Sequence, residues 1–195
     1  MDDAGDPRRA LRTALGLNAV MFVVELAGGI LFDSSGLLAD SLDMLADAAA
    51  YGIALAAAGR AASFRTRAAR ANGILLLILG AGVLLDVVRR TVSGSEPVGA
   101  LIIGVAVLAL IVNAFVLRLL ARYRKGEVHL RAAWIFTRAD VLANLGIILG
   151  GLLVLITGSP APDLVLGAGV GLYVMKEARE ILREARDAAR SEAER

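Results

Sequence analysis

Residues 18–55 of this chain, NAVMFVVELAGGILFDSSGLLADSLDMLADAAAYGIAL, decide its fold and indicate its chemistry. Two long apolar runs on either side of the turn residues Asp33-Ser34-Ser35-Gly36 predict two consecutive helices. The second run carries Asp40, Asp43 and Asp47 at the spacing i, i+3, i+7, which places three carboxylates on one helix face. A charged residue at the centre of a membrane-spanning helix costs about 2.5–3.5 kcal/mol. This column of acids therefore requires a functional explanation.

The rest of the chain has the composition of a membrane protein. Of its 195 residues, 57% are hydrophobic, whereas a soluble domain is about 45–50% apolar. The apolar runs are too long and continuous for the strands of a membrane barrel. We therefore predict an all-α integral membrane protein with six transmembrane helices. The predicted spans are roughly 11–32, 36–58, 72–88, 98–117, 132–156 and 160–177.

Basic residues predict how the helices are oriented. Eighteen of the 21 Lys and Arg residues lie in the N-terminal segment, the second-to-third loop, the fourth-to-fifth loop and the C-terminal tail. Because cytoplasmic loops are enriched in Lys and Arg, we predict that both termini are cytoplasmic. We expect one six-helix transmembrane domain over residues 1–177, followed by a short charged helical cytoplasmic tail over residues 178–195.

Composition also excludes several classes of protein. The net charge is only +2 and no basic stretch is interleaved with aromatic residues, so a nucleic-acid partner is not expected. The chain has no cysteine, which excludes disulfides and thiolate metal sites. The first apolar run has the length of a membrane span and lacks an A-x-A-like cleavage site, so we expect a retained helix.

The fifth predicted helix supplies a further carboxylate. Asp47 lies about 16 Å from the outer end of its span, near the midplane, and Asp140 lies at a similar depth in the fifth span. Asn144 is one turn beyond Asp140 on the same face. Clustered carboxylates repel one another in a poorly solvated site unless a cation or protons compensate. Since ligands lose protons when a divalent cation binds, we predict proton-coupled metal binding.

Three other polar residues within the first two spans have more than one interpretation. Asp40 could face water or cap the start of its helix, or it could lie on the path by which an ion enters. Glu25 and Asn18 share a face of the first helix at the spacing i, i+7. They could form hydrogen bonds between helices or act as ligands.

Some charged residues and glycines have structural interpretations. Asp86 precedes Arg89 and Arg90 by three and four residues, which favours a local ion pair. Arg138 is two residues before Asp140 and so points to roughly the opposite side of its helix. It could extend toward the cytoplasm or pair with an acid on a neighbouring helix. Close helix packing is expected at Gly28, Gly29, Gly146, Gly150, Gly151, Gly167, Gly169 and Gly171.

The stretch quoted above resembles the first two transmembrane helices of the cation diffusion facilitator family. That family carries a (His/Asp)-x-x-x-Asp pair in its second helix, which Asp43 and Asp47 match within the pattern LLADS-x-x-ML-x-D. The fifth helix, AWIFTRADVLANLGIILGG, resembles the corresponding family segment, with Asp140 in the second ligand position. The first ligand position is Phe136, which cannot coordinate a metal. An Arg-x-Asp-x-x-x-Asn pattern in this segment implies Asn144 as the replacement oxygen ligand.

The resemblance implies a secondary active transporter and not an enzyme. It would export divalent metal cations such as zinc, cobalt, cadmium, iron or manganese by proton antiport. The metal would be a substrate rather than a permanently bound cofactor, held by Asp43, Asp47, Asp140 and Asn144. The implied setting is a lipid bilayer, as a multi-pass protein of the bacterial inner membrane, with a homodimer as the assembly. We expect a divergent member that lacks the family's C-terminal cytoplasmic domain.

The identity of the ion and two other functions stay open at this point. Oxygen donors alone favour manganese, iron(II), cobalt or magnesium, whereas the resemblance favours zinc, cadmium and cobalt. A proton-coupled exporter of small organic cations would also use buried acids. An intramembrane aspartate hydrolase would need two facing aspartates and a motif such as Gly-x-Gly-Asp, which the sequence lacks.

Overall fold

The computed structural model describes residues 7–56, 62–121 and 128–193, which form six α-helices and no strand. Each predicted span corresponds to one helix, so the all-α prediction is confirmed for these residues. The helices are α1 (Pro7–Leu31), α2 (Ser35–Ala56), α3 (Ala62–Ser93), α4 (Gly99–Ala121), α5 (Val128–Thr157) and α6 (Ala161–Ala193).

Helices α3 and α6 are longer than the apolar runs that predicted them. α3 begins at Ala62 and α6 continues without a break to Ala193, since Ala, Glu and Arg favour a helix with or without lipid around them. Part of this extension is packed against the protein. Ala185 is buried, and Leu182 lies against Gly73 of α3. The charged end of α6 is therefore partly held by α3.

Helix α2 lies at the centre of the fold. It contacts α1 and α5 on one side and the α3–α6 pair on the other. The two helices of that pair are antiparallel, because Gly73 meets Leu182 while Gly80 meets Met175. Helix α4 packs against α1 and α5 and completes a four-helix bundle with α2. Every neighbour of α2 can thus contribute to a site on its surface.

The interior of the four-helix bundle is built in apolar layers. The layer at the C-terminal end of α2 is Leu11, Ala14, Tyr51, Val116 and Leu120. The middle layer is Met21, Met44 and Ala109, and the layer at the N-terminal end of α2 is Leu37, Ile102, Ala106 and Ile147. The buried polar side chains discussed below are interspersed among these layers along the helices.

Four helical segments are long and apolar enough to cross a membrane. They are Arg8–Leu31, Ser63–Ser93, Gly99–Ala121 and Asp140–Thr157. Helix α2 is not among them because every 18-residue stretch of it contains its three aspartates. Within the described residues α2 exposes no large hydrophobic side chain, whereas the other helices expose many. The protein is a multi-pass membrane protein whose most acidic apolar helix is enclosed by its neighbours.

Ion pairs and turns fix the loops at the N-terminal end of α2. Arg90 is 5% exposed and pairs with both Asp33 and Asp86. The predicted local pair is confirmed, with Arg89 Nη2 at 2.7 Å from Asp86 Oδ1. Asp33 also accepts a 2.8 Å hydrogen bond from the backbone N–H of Glu96. The α1–α2 turn is thereby attached to the end of α3 and to the α3–α4 loop.

Candidate cation site

The structure brings together the three predicted carboxylate ligands. Asp43 and Asp140 are 6% and 4% exposed, and Asp47 is half-buried. The Asp140 side chain approaches Asp43 and Asp47 closely enough to interact with both. The three acids are therefore neighbours across the α2–α5 interface, as the helical spacing predicts.

The carboxylates are neighbours without forming a closed coordination shell. Among the described residues, no three His, Cys, Asp or Glu side chains converge closely enough to hold a metal ion. The ligand set Asp43, Asp47, Asp140 and Asn144 stays a prediction. The side chain of Phe136, at the position where the family places another ligand, lies outside the described residues.

Asn144 presents one free oxygen in the interior. Its side-chain Nδ2 donates a 2.8 Å hydrogen bond to the backbone carbonyl of Asp140. This bond fixes the side-chain amide, and its Oδ1 has no hydrogen-bond partner among the described residues although Asn144 is fully buried. Asp140 Oδ2 is also buried and has no hydrogen-bond partner in the part of the chain that the structure describes. Two adjacent oxygens on α5 are thus available to a ligand.

Tyr51 holds Asp47 from one helical turn away. The Tyr51 hydroxyl donates a 3.0 Å hydrogen bond to Asp47 Oδ2 and lies 3.2 Å from the Thr137 hydroxyl of α5. Because the single tyrosine proton goes to the carboxylate, Thr137 is the donor in the second bond. Neither Tyr51 nor Thr137 is among the residues predicted from the sequence. The i, i+4 spacing of Asp47 and Tyr51 was the available signal.

Helix α6 contributes acids that were not among the predicted ligands. A cavity of about 170 Å³ is bordered by Asp47 and by Glu177, Glu180 and Glu184. Glu177 is close enough to interact with both Asp43 and Asp47. These glutamates repeat the i, i+3, i+7 spacing of the α2 aspartates, which was a detectable signal. A second cavity of about 180 Å³ lies beside Asp43, Gly169 and Tyr173.

The structure decides between the interpretations of Asp40. Its side chain is 0% exposed, and the start of α2 is capped by Ser34, whose hydroxyl accepts a 3.1 Å bond from Leu37 N–H. The interpretation of Asp40 as a water-facing or capping residue is therefore wrong. Asp40 instead lies against Glu25 of α1, which is also 0% exposed.

Glu25 and Asn18 of α1 are buried without a hydrogen-bond partner among the residues that the structure describes. All carboxyl oxygens of Glu25 and Asp40 lack a hydrogen-bond partner within the described chain, as do both side-chain polar atoms of Asn18.

Arg138 is exposed while Asp140 is buried, which confirms that they point to opposite sides of α5.

Comparison with known proteins gives relatives that are named as metal cation transport proteins. The chain is 29% identical over 186 residues to the metal cation efflux system protein CzcD of Cupriavidus metallidurans, covering 89% of this chain and 59% of that protein. It is 30% identical over 189 residues to the zinc transporter ZitB of Escherichia coli, covering 90% of this chain and 60% of that protein. The chain thus spans about 60% of the length of these relatives.

A family match covers most of the sequence. Residues 11–188 match the family described as the cation efflux transmembrane domain, and this range includes all six helices in large part. The relatives are named as transport systems and not as enzymes. The chain therefore belongs to the cation efflux family, the cation diffusion facilitators that its second helix resembles.

Proposed function

We propose that this protein exports divalent metal cations by exchange with protons. Six helices span the membrane, with both termini in the cytoplasm. The cation is bound between α2 and α5 by Asp43, Asp47, Asp140 and the Oδ1 atom of Asn144. Zinc, cobalt, cadmium, iron and manganese are the candidate substrates.

The observation that carries this proposal is the meeting of acids from two helices inside the bundle. Asp43 and Asp47 on α2 interact with Asp140 on α5 in a largely buried position. Buried like charges are unfavourable unless a cation or protons neutralise them. A site that alternates between a divalent cation and protons satisfies this requirement in both halves of a transport cycle.

The separation of Asp140 from Asp43 and Asp47 suggests how the cation binds. We propose that the ion draws Asp140 toward Asp43 and Asp47, because its charge replaces their mutual repulsion by attraction. The cation enters past Glu177, Glu180 and Glu184, whose charges raise the local concentration of cations at the cavity next to Asp47. Relative movement of the helices then exposes the site to the other side of the membrane.

The dimensions of the cavities favour an ion over an organic cation. The cavities next to Asp47 and Asp43 measure about 170 and 180 Å³, whereas pockets for drug-sized ligands are about 300–1,000 Å³. A metal ion needs only its ligands and a few waters. The oxygen-only donor set is typical of manganese, iron(II), cobalt or magnesium sites, while the relative from Escherichia coli is named a zinc transporter.

Family membership supports the remaining parts of the proposal. We propose a bacterial inner membrane location, as for a chain related to the bacterial proteins above. We also propose that the protein acts as a homodimer through its helices. The apolar surfaces of α3, α4 and α5 provide exposed side chains for contacts with lipid or a second copy.

Calorimetric titration tests the proposal directly. The purified protein is titrated with Zn²⁺, Co²⁺, Cd²⁺, Mn²⁺ and Fe²⁺ at two pH values, each in two buffers that differ in ionisation enthalpy. We expect binding of at least one ion, with a heat that depends on the buffer because protons are released. Inverted vesicles should then accumulate that ion under a proton gradient. Unchanged binding and transport in Asp47→Ala would contradict the assigned site.

A further inference from the structure

Asp163 attaches the start of α2 to α6. This carboxylate is 2% exposed and lies in the first turn of α6. Its Oδ2 accepts a 2.6 Å bond from the N–H of Ser35, and its Oδ1 accepts bonds of 2.6 Å from the Ser34 hydroxyl and 3.2 Å from the N–H of Gly36. One side chain thus binds three donors at the N-terminal end of α2, more than 120 residues away in sequence.

These bonds complete the cap of α2. The first N–H groups of a helix have no partner within it. Here Asp163 accepts hydrogen bonds from the N–H groups of Ser35 and Gly36, and the Ser34 hydroxyl accepts one from the N–H of Leu37. The negative charge also lies at the positive end of the α2 dipole. A strong charge-assisted cap from a different helix fixes more than the helix end, because it fixes the position of one helix relative to the other.

Gly167 keeps α6 against the same part of α2. A Cβ atom added to Gly167 would lie 2.6 Å from Ser35 Cβ and 2.7 Å from the Ser35 backbone. The two helices are therefore in backbone contact at the N-terminal end of α2. Toward the C-terminal end they are separated by the cavity that Asp47 shares with Glu177, Glu180 and Glu184.

We propose that Asp163 is a positioning residue for the cation site. By holding the start of α2 on α6, it sets the depth and rotation at which Asp43 and Asp47 face Asp140. The register matters because each residue of an α-helix adds about 1.5 Å and about 100°. A small slip or turn of α2 moves both aspartates away from α5. This inference rests on the proposed function, since it concerns the same site.

Metal affinity separates this role from a purely structural one. The experiment compares Asp163→Ala and Asp163→Asn with the wild type by calorimetry, using the ion that the wild type binds, and records the melting temperature of each protein without metal. We expect about a 10-fold loss of affinity in Asp163→Ala, in the range for residues that orient ligands. Asp163→Asn keeps an acceptor for Ser34 and Gly36 and should recover part of the loss. Asp187→Asn, an exposed change on the same helix, is the matched control and should bind as the wild type does.

Gly167→Ala perturbs the same junction without removing any hydrogen-bonding group. It tests the positioning role if Asp163→Ala fails to fold. It should also lower metal affinity, whereas Gly82→Ala, where no atom lies within 4 Å of the added Cβ, should not. Wild-type affinity in both Asp163→Asn and Gly167→Ala would overturn the inference, even if their melting temperatures fall. Absence of metal binding by the wild type would instead overturn the proposed function.

Discussion

The hydroxyl of Tyr51 donates a 3.0 Å hydrogen bond to Oδ2 of Asp47, one turn earlier on α2. The tyrosine ring belongs to the apolar layer at the C-terminal end of α2, so its hydroxyl is held by packing. It receives a second bond from Thr137 of α5. Asp47 is therefore oriented by a group that is itself attached to the opposite wall of the site.

Removing that hydroxyl should weaken metal binding while the fold is kept. Tyr51→Phe retains the ring and its packing, and we expect about a 10-fold lower metal affinity because ligand-orienting bonds contribute on that scale. Calorimetry measures the affinity. Thr137→Val leaves the Tyr51–Asp47 bond in place and should have a smaller effect. Equal affinities for Tyr51→Phe and the wild type would show that Asp47 does not need this bond.

Asn144 should contribute its oxygen rather than its bulk. Asn144→Leu keeps a side chain of similar size but removes Oδ1, a buried atom with no hydrogen-bond partner among the described residues. It should lower metal affinity by about 10-fold or more. Asn144→Asp restores an oxygen donor and should bind at least as tightly as the wild type. The comparison is made by titration with the same ion. If Asn144→Leu has the metal affinity of the wild type, Asn144 is not a ligand.

The buried arginine at the α3 end should stabilise the protein far more than its exposed neighbour. Arg90→Met leaves Asp33 and Asp86 without their buried partner and should lower the free energy of unfolding by about 2 kcal/mol. This is less than the roughly 3–5 kcal/mol of a fully buried pair, because these carboxylates are 41% and 23% exposed. The Arg89 side chain is 63% exposed, so Arg89→Met should lower the free energy of unfolding by less than about 1 kcal/mol. Thermal unfolding in detergent compares the stability of the two variants. Similar losses in both would contradict the larger contribution assigned to Arg90.

Two glycines on α4 provide a matched test of helix packing. A Cβ at Gly99 would lie 2.6 Å from the Gly151 carbonyl oxygen, whereas nothing lies within 4 Å of one at Gly104. Gly99→Ala should destabilise the α4–α5 contact by about 1–3 kcal/mol. Gly104→Ala should be neutral or stabilise the helix by up to about 1 kcal/mol. Melting temperatures measure both, and equal shifts would argue against close packing at Gly99.

The sequence predicted the features that depend on local periodicity. Asp43 and Asp47 share a face because of their spacing, and Asp86 pairs with Arg89 because they are three residues apart; neither conclusion needs knowledge of other helices. The packing of Asp140 against α2 also followed, since its depth in the membrane could be counted along the chain. The first two depend on the regular geometry of a single helix, and the third compares depths counted along two helices.

Features that depend on contacts between distant helices could not be predicted in the same way. Asp163 appears in the sequence as an acid in the first turn of a helix, and nothing in its neighbourhood specifies Ser35 as its partner. Glu177 is the last residue of the predicted sixth span, and its relation to Asp47 depends on how α6 crosses α2. Asp40 could be read as exposed because its distance from the loop was known and its contact with Glu25 was not.

The enclosure of α2 also has a consequence for how the protein is made. Each of the three aspartates in this segment costs about 2.5–3.5 kcal/mol near the bilayer centre when the helix enters lipid alone. Its short turn to α1 lets both helices enter as a hairpin, in which Glu25 lies against Asp40, whereas Asp43 and Asp47 are covered once α5 and α6 pack against α2. The enclosure of α2 therefore depends on helices that follow it in the chain.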